Sequence, residues 1–231
     1  MQSTLKKYFG YDRFRLLQED IIRHVLRGKD CLVLMPTGGG KSLCFQIPAL
    51  MMEGTAVVVS PLISLMKDQV ESLRANGIEA AALNSNASEE ENREIAERAY
   101  RGEYKLLYVS PERLLAEMET GVLHHSSGVN PTGALRVSLF AIDEAHCISQ
   151  WGHDFRPEYT QLGRLKEYFP GVPVAAFTAT ADKITKEDIV QQLRLEKDET
   201  GEPRIFVSSF DRPNLSLDVR RGYSAQDKLR F

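Results

Sequence analysis

Three consecutive glycines followed by a lysine and a serine, Gly38-Gly39-Gly40-Lys41-Ser42, stand directly after the apolar run Cys31-Leu32-Val33-Leu34-Met35 and the turn residues Pro36-Thr37. Without Cβ atoms, glycines let the backbone take positive φ and turn its N–H groups inward, and a helix starting there aims its positive end at the same point. That is the chemistry of a phosphate cradle. Lys41 would supply a mobile cation for the β and γ phosphates, and the Ser42 hydroxyl a ligand for magnesium. The strict pattern GxxxxGK[ST] would have glycine at Met35, so only its second half is matched. A second group, Asp143-Glu144-Ala145-His146, closes the apolar run 137–142. Open α/β sheets collect ligands at the carboxyl ends of their strands. Asp143 would hold the magnesium, and Glu144 would accept a proton from, or orient, a water aimed at the γ-phosphate.

Other residues carry weaker signals. The segment from Ile148 to Tyr159 holds the only tryptophan and crowds Trp151, His153, Phe155 and Tyr159 beside Arg156. Aromatic faces stack on unpaired bases for about 1–3 kcal/mol each with little sequence preference. Core packing of Trp151 and Phe155 is an equal reading on composition, and Gly152 and Pro157 favour an exposed loop. Near the start, Tyr11, Arg15 and Gln18 offer a ring, a guanidinium and an amide. An amide can pair with an adenine edge, although a solvated helix start is the commoner use of such residues. Thr178 and Thr180 can bridge the acidic pair and a neighbouring domain, or simply cap the next helix. The adjacent His124-His125 do not share a helix face, and no cysteine or carboxylate stands at ligand spacing, which argues against a metal there.

Elements must hold these groups together. Residues 5–28 carry Leu16, Leu17, Ile21, Ile22, Val25 and Leu26 at helical spacing with Gly28 as a stop, which predicts a helix before the first strand. A helix follows Ser42 and ends near Gly54. Continuous apolar runs at 55–59, 80–83, 106–109, 137–142, 172–177 and 205–207 read as strands buried on both faces. Helices are expected at 64–76, at 88–100 with Ser88 and Glu91 as a capping pair, at 159–169 and at 182–193. Residues 117–135 read as a loop or short helix with a surface turn. This alternation gives an α/β class with a mostly parallel sheet.

The chain has 231 residues, 42% hydrophobic and 26% charged, with a net charge of −3. That is ordinary globular composition, and no overall basic field announces nucleic acid. No run of 18 apolar residues occurs and the N-terminus has no apolar signal core, so neither a membrane span nor secretion is indicated. Three cysteines, Cys31, Cys44 and Cys147, form no CxxC pair and read as small buried hydrophobes in a reducing compartment.

Taken together, 35–42, 143–157 and 177–181 closely resemble the RecQ family of DNA helicases in superfamily 2. Val59 to Gln69, Ser110 to Arg113 and Phe210 to Asn214 are also similar, so the likeness covers almost the whole chain except about 117–135. It implies a three-layer, RecA-like P-loop domain that binds ATP and Mg2+ and tracks on single-stranded or partly duplex DNA in the 3′ to 5′ direction. By motif match, Tyr11, Arg15 and Gln18 would recognise adenine, beside Pro36, Thr37, Gly38, Gly39, Gly40, Lys41 and Ser42 on the phosphates. Lys41, Asp143 and Glu144 would be catalytic, with Ser42 and Asp143 on the metal. Ser60, Pro61 and Lys67 would touch the DNA backbone, and Gln150, Trp151, His153, Phe155, Arg156, Thr178 and Thr180 would link DNA contact to hydrolysis. The family usually has Pro-Gly where this chain has Leu16-Leu17.

The resemblance also divides the chain into a first lobe, 1–208, and an exit segment, 209–231, leading toward a second RecA-like lobe that would supply an arginine finger. A bacterial protein of this kind would be cytoplasmic and nucleoid-associated, a eukaryotic one nuclear. Two other classes stand beside the helicase: a non-catalytic nucleic-acid-binding module that keeps the fold, and a P-loop small-molecule kinase. Glu144 argues against the first, and the aromatic segment with no lid-like insert argues against the second.

Overall fold

The computed structural model describes residues 1–119, 135–150 and 154–208. In chain order its helices are α1 (Gln2–Phe9), α2 (Gln18–Leu26), α3 (Leu43–Met51), α4 (Ile63–Ala75), α5 (Glu89–Tyr100), α6 (Pro111–Glu119), α7 (Pro157–Thr160), α8 (Leu165–Tyr168) and α9 (Lys183–Gln192). The strands are β1 (Cys31–Leu34), β2 (Thr55–Val59), β3 (Ala80–Leu83), β4 (Leu106–Val109), β5 (Val137–Ile142), β6 (Val174–Thr178) and β7 (Ile205–Val207). They form a seven-stranded sheet in the order β3-β4-β2-β5-β6-β1-β7, and every pairing is parallel.

A parallel sheet has to be covered on both faces because its crossovers run over them. Val33, Val58, Tyr108, Ala141 and Phe177 turn one way, against Ile21 and Val25 of α2, Phe45 of α3 and Met66 and Val70 of α4. Leu32, Val57, Leu107, Phe140 and Ala176 turn the other way, against Ala99 of α5, Leu114 and Met118 of α6 and Ile189 of α9. Three layers result, as expected for the RecA-like class. The strand period of two carries a consequence for the site. Asp143 stands two residues beyond Ala141, and its N–H still bonds the Val59 carbonyl at 2.8 Å, so the acid continues the strand on the α3 side.

Among the described residues no helix is long and apolar enough to cross a membrane. Trp151 and His153, the pair His124-His125 with the rest of 120–134, and the exit segment 209–231 lie outside the described residues.

Local readings that failed did so for identifiable reasons. The helical spacing over 5–28 is split into α1 and α2. Gly10, at φ 75, ends α1 by returning its N–H to the Lys6 carbonyl, and Leu16 adopts φ 50 just before α2. The stretch 159–169 is three short pieces, α7, a 3-10 turn Gln161–Arg164 and α8, because Gly163 approaches α9 so closely that a Cβ there would lie 2.3 Å from the Gln192 carbonyl oxygen. Helix α6, which the sequence reading did not assign, begins on a proline at its first position and repeats Leu114 and Met118 inward. The capping pair at α5 is present in both directions: Ser88 accepts from the Glu91 N–H, and Glu91 accepts from the Ser88 N–H.

Leu16 sets up a stability test. A left-handed non-glycine residue costs about 1–2 kcal/mol, and Leu16 is 62% exposed, so its side chain returns little packing. Glycine removes that strain and adds about 0.5–1 kcal/mol of unfolded-state entropy. Leu16→Gly is therefore expected to be more stable by about 0.5–1 kcal/mol, a rise in Tm of roughly 1–4 °C for a domain of this size, read by thermal denaturation.

Candidate nucleotide-binding site and its connections

The loop after β1 is shaped by its own backbone and by one buried amide. Gly38 and Gly40 take φ 79 and 80, and the Gly39 N–H returns to the Pro36 carbonyl at 2.9 Å. Leu43, Cys44 and Phe45 donate to the carbonyls of Gly40, Lys41 and Ser42, which winds the chain into α3 with Ser42 already helical. Lys41 Nζ donates to the Met35 carbonyl at 3.2 Å, which arches its side chain back over the loop toward the strand end.

Gln18, 3% exposed, sits under that loop. Its Nε2 donates to the Gly40 carbonyl at 3.1 Å and the Gly39 carbonyl at 3.4 Å, and its Oε1 accepts from the Arg15 N–H at 2.8 Å. The amide thus ties the phosphate loop to the Tyr11–Arg15 stretch. Both Nε2 hydrogens are taken up by the loop carbonyls, and the Oε1 already accepts one bond. Tyr11 and Arg15 lie together, the guanidinium 5.8 Å from the ring centre, and with Arg13, Gln18, Gly38, Gly39, Gly40 and Leu43 they line a small cleft beside the loop.

Alanine at Gly40 would need the left-handed conformation and would place a Cβ 2.3 Å from Gln18 Nε2, whereas at Gly38 the same atom meets nothing within 4 Å. Gly38→Ala is expected to cost only the backbone strain, about 1 kcal/mol. Gly40→Ala should lose in addition the Gln18 bonds, for a total of about 2–4 kcal/mol. Chemical denaturation of the two variants side by side separates these contributions.

Across the sheet, just past the end of β5, stand Asp143 and Glu144, and Glu144 lines a second cleft with Pro61, His146 and Phe155. The Asp143 carboxyl is pushed up to about 6, first by burial and then by repulsion from Glu144. The Glu144 N–H bond to Oδ1 at 3.0 Å, and the nearness of Lys41 and His146, oppose that rise. Lys41 therefore lies within the electrostatic field of Asp143, although β6 stands between their strands. Glu144 itself adopts φ 47, ψ 45, a left-handed conformation rare for glutamate. Strain of about 1–3 kcal/mol is tolerated where the surrounding structure fixes the residue, and such positions cluster at functional sites. Here it turns the carboxylate off the strand direction. The Tyr159 hydroxyl holds the Asp143 carbonyl at 3.1 Å from below.

His146, to which sequence reasoning gave no role, is the junction of the site. The Thr178 hydroxyl donates to the Thr180 carbonyl at 2.9 Å, so toward His146 Nδ1, also 2.9 Å away, it accepts. Nδ1 then carries the proton and shares it with the Glu144 carboxylate at 3.3 Å, while Nε2 faces the Asp154 carboxylate at 3.6 Å. One imidazole thus touches the candidate base, the end of β6 and Asp154 within the aromatic segment. Its place beside the acidic pair was visible in the sequence; its partners, at 154 and 178, were not.

The remaining expected residues fall into two groups. Lys67, Gln150 and Thr180 are exposed, and Phe155 and Arg156 are half-buried; both of the latter line a cleft of about 510 Å³ with Pro61, Leu62, Glu144, His146, Cys147 and Asp154. Ser60 and Thr178 are buried. Ser60 is 2% exposed with no hydrogen-bond partner for its hydroxyl, so its side chain is not presented to solvent, and Thr178 bonds His146 and Thr180, next to the acidic pair it was expected to bridge. Tyr159 is a core residue and not one of a set of stacking rings.

The model of the DEAD/DEAH box helicase family matches residues 15–189. This chain belongs to that family. Within it the likeness is to RecQ proteins: the ATP-dependent DNA helicase RecQ of Haemophilus influenzae is 49% identical over 98% of this chain and 34% of that protein. RecQ of Pasteurella multocida is 50% identical over the same shares, and RecQ of Bacillus subtilis 46% over all of this chain and 36% of that protein. The helicase-family chain spans about a third of the length of these relatives.

Solved structures agree on the fold. A hypothetical ATP-dependent RNA helicase from Sulfolobus tokodaii superposes with a TM-score of 0.64 at 20% identity, over 90% of this chain and 57% of that one. The DUF1998 helicase MrfA bound to DNA gives 0.65 at 22%, over 90% and 29%.

Proposed function

We propose that this chain is the ATP-binding motor lobe of a RecQ-type DNA helicase, coupling ATP hydrolysis to 3′ to 5′ movement on single-stranded DNA and to unwinding. The observation that carries the reading is the nearness of the two groups: the lysine of the phosphate loop opposes the rise of the Asp143 carboxyl that follows β5. The names of the relatives, all ATP-dependent DNA helicases, support the substrate, and MrfA, a neighbour in fold, is a helicase bound to DNA.

The side chains present suit a magnesium nucleotide. Among the described residues no group of three or more His, Cys, Asp or Glu forms a metal cage. Magnesium beside phosphates needs only one or two protein oxygens, the rest of its shell coming from substrate and water. Asp143 and Ser42 are the oxygens in question, and the ion supplies charge neutralisation on the β and γ phosphates. Lys41 and the loop N–H groups hold the phosphates, Tyr11 and Arg15 flank the base with Gln18 setting the loop beneath it, and Glu144 takes or orients the proton of the attacking water. Lys67, Gln150, Phe155, Arg156 and Thr180 are the described residues assigned to DNA contact and its coupling to hydrolysis, an assignment that by sequence also takes in Trp151 and His153.

We further propose that 1–208 form this lobe and that it works with a second RecA-like lobe supplying an arginine. Such an arginine is worth about 10³–10⁵ in rate. The 231 residues alone are then expected to bind magnesium and ATP but to turn over slowly, with DNA-stimulated hydrolysis emerging once the lobe is joined to its partner lobe. DNA-stimulated turnover by the 231 residues alone at the pace of the joined protein would overturn the two-lobe proposal.

A further inference from the structure

Behind the phosphate loop, three polar side chains meet in an otherwise apolar layer. Gln46 of α3 is buried, and its Nε2 donates to Gln69 Oε1 of α4 at 3.2 Å and reaches the Tyr108 hydroxyl of β4 at 3.5 Å. Both hydrogens of one amide are used, and they join three elements that share the α3 side of the sheet.

Each partner leads to a different part of the site. Gln46 is four residues beyond Ser42, so the two lie on one face of α3, about one turn or 6 Å apart. Tyr108 is buried beside Asp143, whose negative charge helps to hold the phenol proton above its ordinary range, after burial itself. Gln69 belongs to the same helix as the exposed Lys67 and follows Pro61 and Leu62, which border the cleft beside Glu144.

The stability argument for this cluster is weak. A hydrogen-bonded pair of amides, one buried and one half-buried, can be replaced by apolar groups of similar shape at little net cost, so a core needing only cohesion has no requirement for two glutamines here. What an amide junction supplies and leucine does not is direction: it fixes the rotation of α3 relative to α4 through a specific bond. We propose that Gln46 and Gln69 form a relay through which nucleotide at the phosphate loop and DNA along α4 alter each other's binding.

The proposal rests on the nucleotide and DNA assignments above, and linkage makes it measurable. If two ligands are coupled, each changes the other's affinity by the same factor, commonly about 5- to 150-fold. The probe is a fluorescein-labelled oligothymidylate, titrated by anisotropy with and without magnesium and a non-hydrolysable ATP analogue, on the parent chain and on Gln46→Met/Gln69→Met. Nucleotide affinity is measured separately in both. The parent is expected to show a coupling factor of at least about 5, and the double variant a factor below about 2, with nucleotide affinity unchanged within about threefold.

Single replacement at the half-buried Gln69 provides the same test with less disturbance of the core, and the same collapse is expected. Coupling retained in both variants would overturn the relay while leaving the motor-lobe reading intact. A parent that binds both ligands with no coupling would also overturn the relay. A parent that binds neither ligand would overturn the underlying assignments, and the relay with them.

Discussion

Replacing Glu144 by glutamine is expected to lower DNA-stimulated ATP turnover of the two-lobe protein by about 10²- to 10⁴-fold, the usual contribution of a positioned general base. Magnesium-nucleotide affinity should stay within about threefold. Glutamine keeps the size of the side chain and the left-handed backbone at 144, so the loop geometry survives and only the proton acceptor is lost. The bond between His146 Nδ1 and residue 144 can be kept through the amide oxygen. The loss should therefore fall on kcat and not on KM, as for an interaction made only in the transition state. Turnover within tenfold of the parent would remove Glu144 from its assigned role.

Asp143→Asn is expected to act in opposite directions on stability and on function. In the unfolded chain this carboxyl ionises near 3.8, in the folded protein near 6, because burial and Glu144 penalise its charge. Between those values the unfolded state gives up its proton first, so ionisation destabilises the fold progressively as pH rises, and the whole penalty is present above about pH 6. Asparagine cannot ionise and still accepts the Glu144 N–H. Relative to the parent, the variant should be equally stable at about pH 4 and more stable at about pH 8 by roughly 2–3 kcal/mol, from a shift of about two units. Denaturation in metal-free buffer at the two pH values reads this directly. The same substitution should weaken magnesium-dependent ATP binding by about tenfold or more, since it removes the only full charge proposed for the ion. A variant less stable at both pH values would show that Asp143 is a structural acid and not a strained functional one.

The parts of this molecule that sequence alone gave away follow from a single physical fact. Strands inside a parallel sheet are buried on both faces, so Thr55–Val59, Ala80–Leu83, Leu106–Val109 and Val137–Ile142 announce themselves as uninterrupted apolar runs, while Ile205–Val207 reads as an apolar run although it lies at the sheet edge with Val207 exposed. The phosphate loop and the acidic pair follow because they punctuate such runs. Helices were less legible where one residue decided the matter: Gly10 and Leu16 divide what looked continuous, and the close approach of Gly163 to α9 is a property of the assembled fold. The site was half visible. Lys41, Asp143 and Glu144 could be named from spacing, but the tie of Gln18 to the loop and the junction at His146 depend on residues 22 and 32 positions away, which no local pattern records. Burial also separates residues that motif matching treats alike, as Ser60 and Thr178 turn inward while Lys67 and Thr180 face solvent.

The central claim is that the phosphate loop after β1 and the acidic pair after β5 close on one metal–triphosphate. Manganese can replace magnesium in such a site, and its unpaired electrons broaden the amide signals of nearby residues in a nuclear magnetic resonance spectrum. Titrating manganese with an ATP analogue into the 231-residue chain should broaden the amides of Gly38 to Ser42 and of Asp143 to Ala145 together, at the same metal concentration. Broadening of one segment while the other keeps its sharp signals would contradict the account.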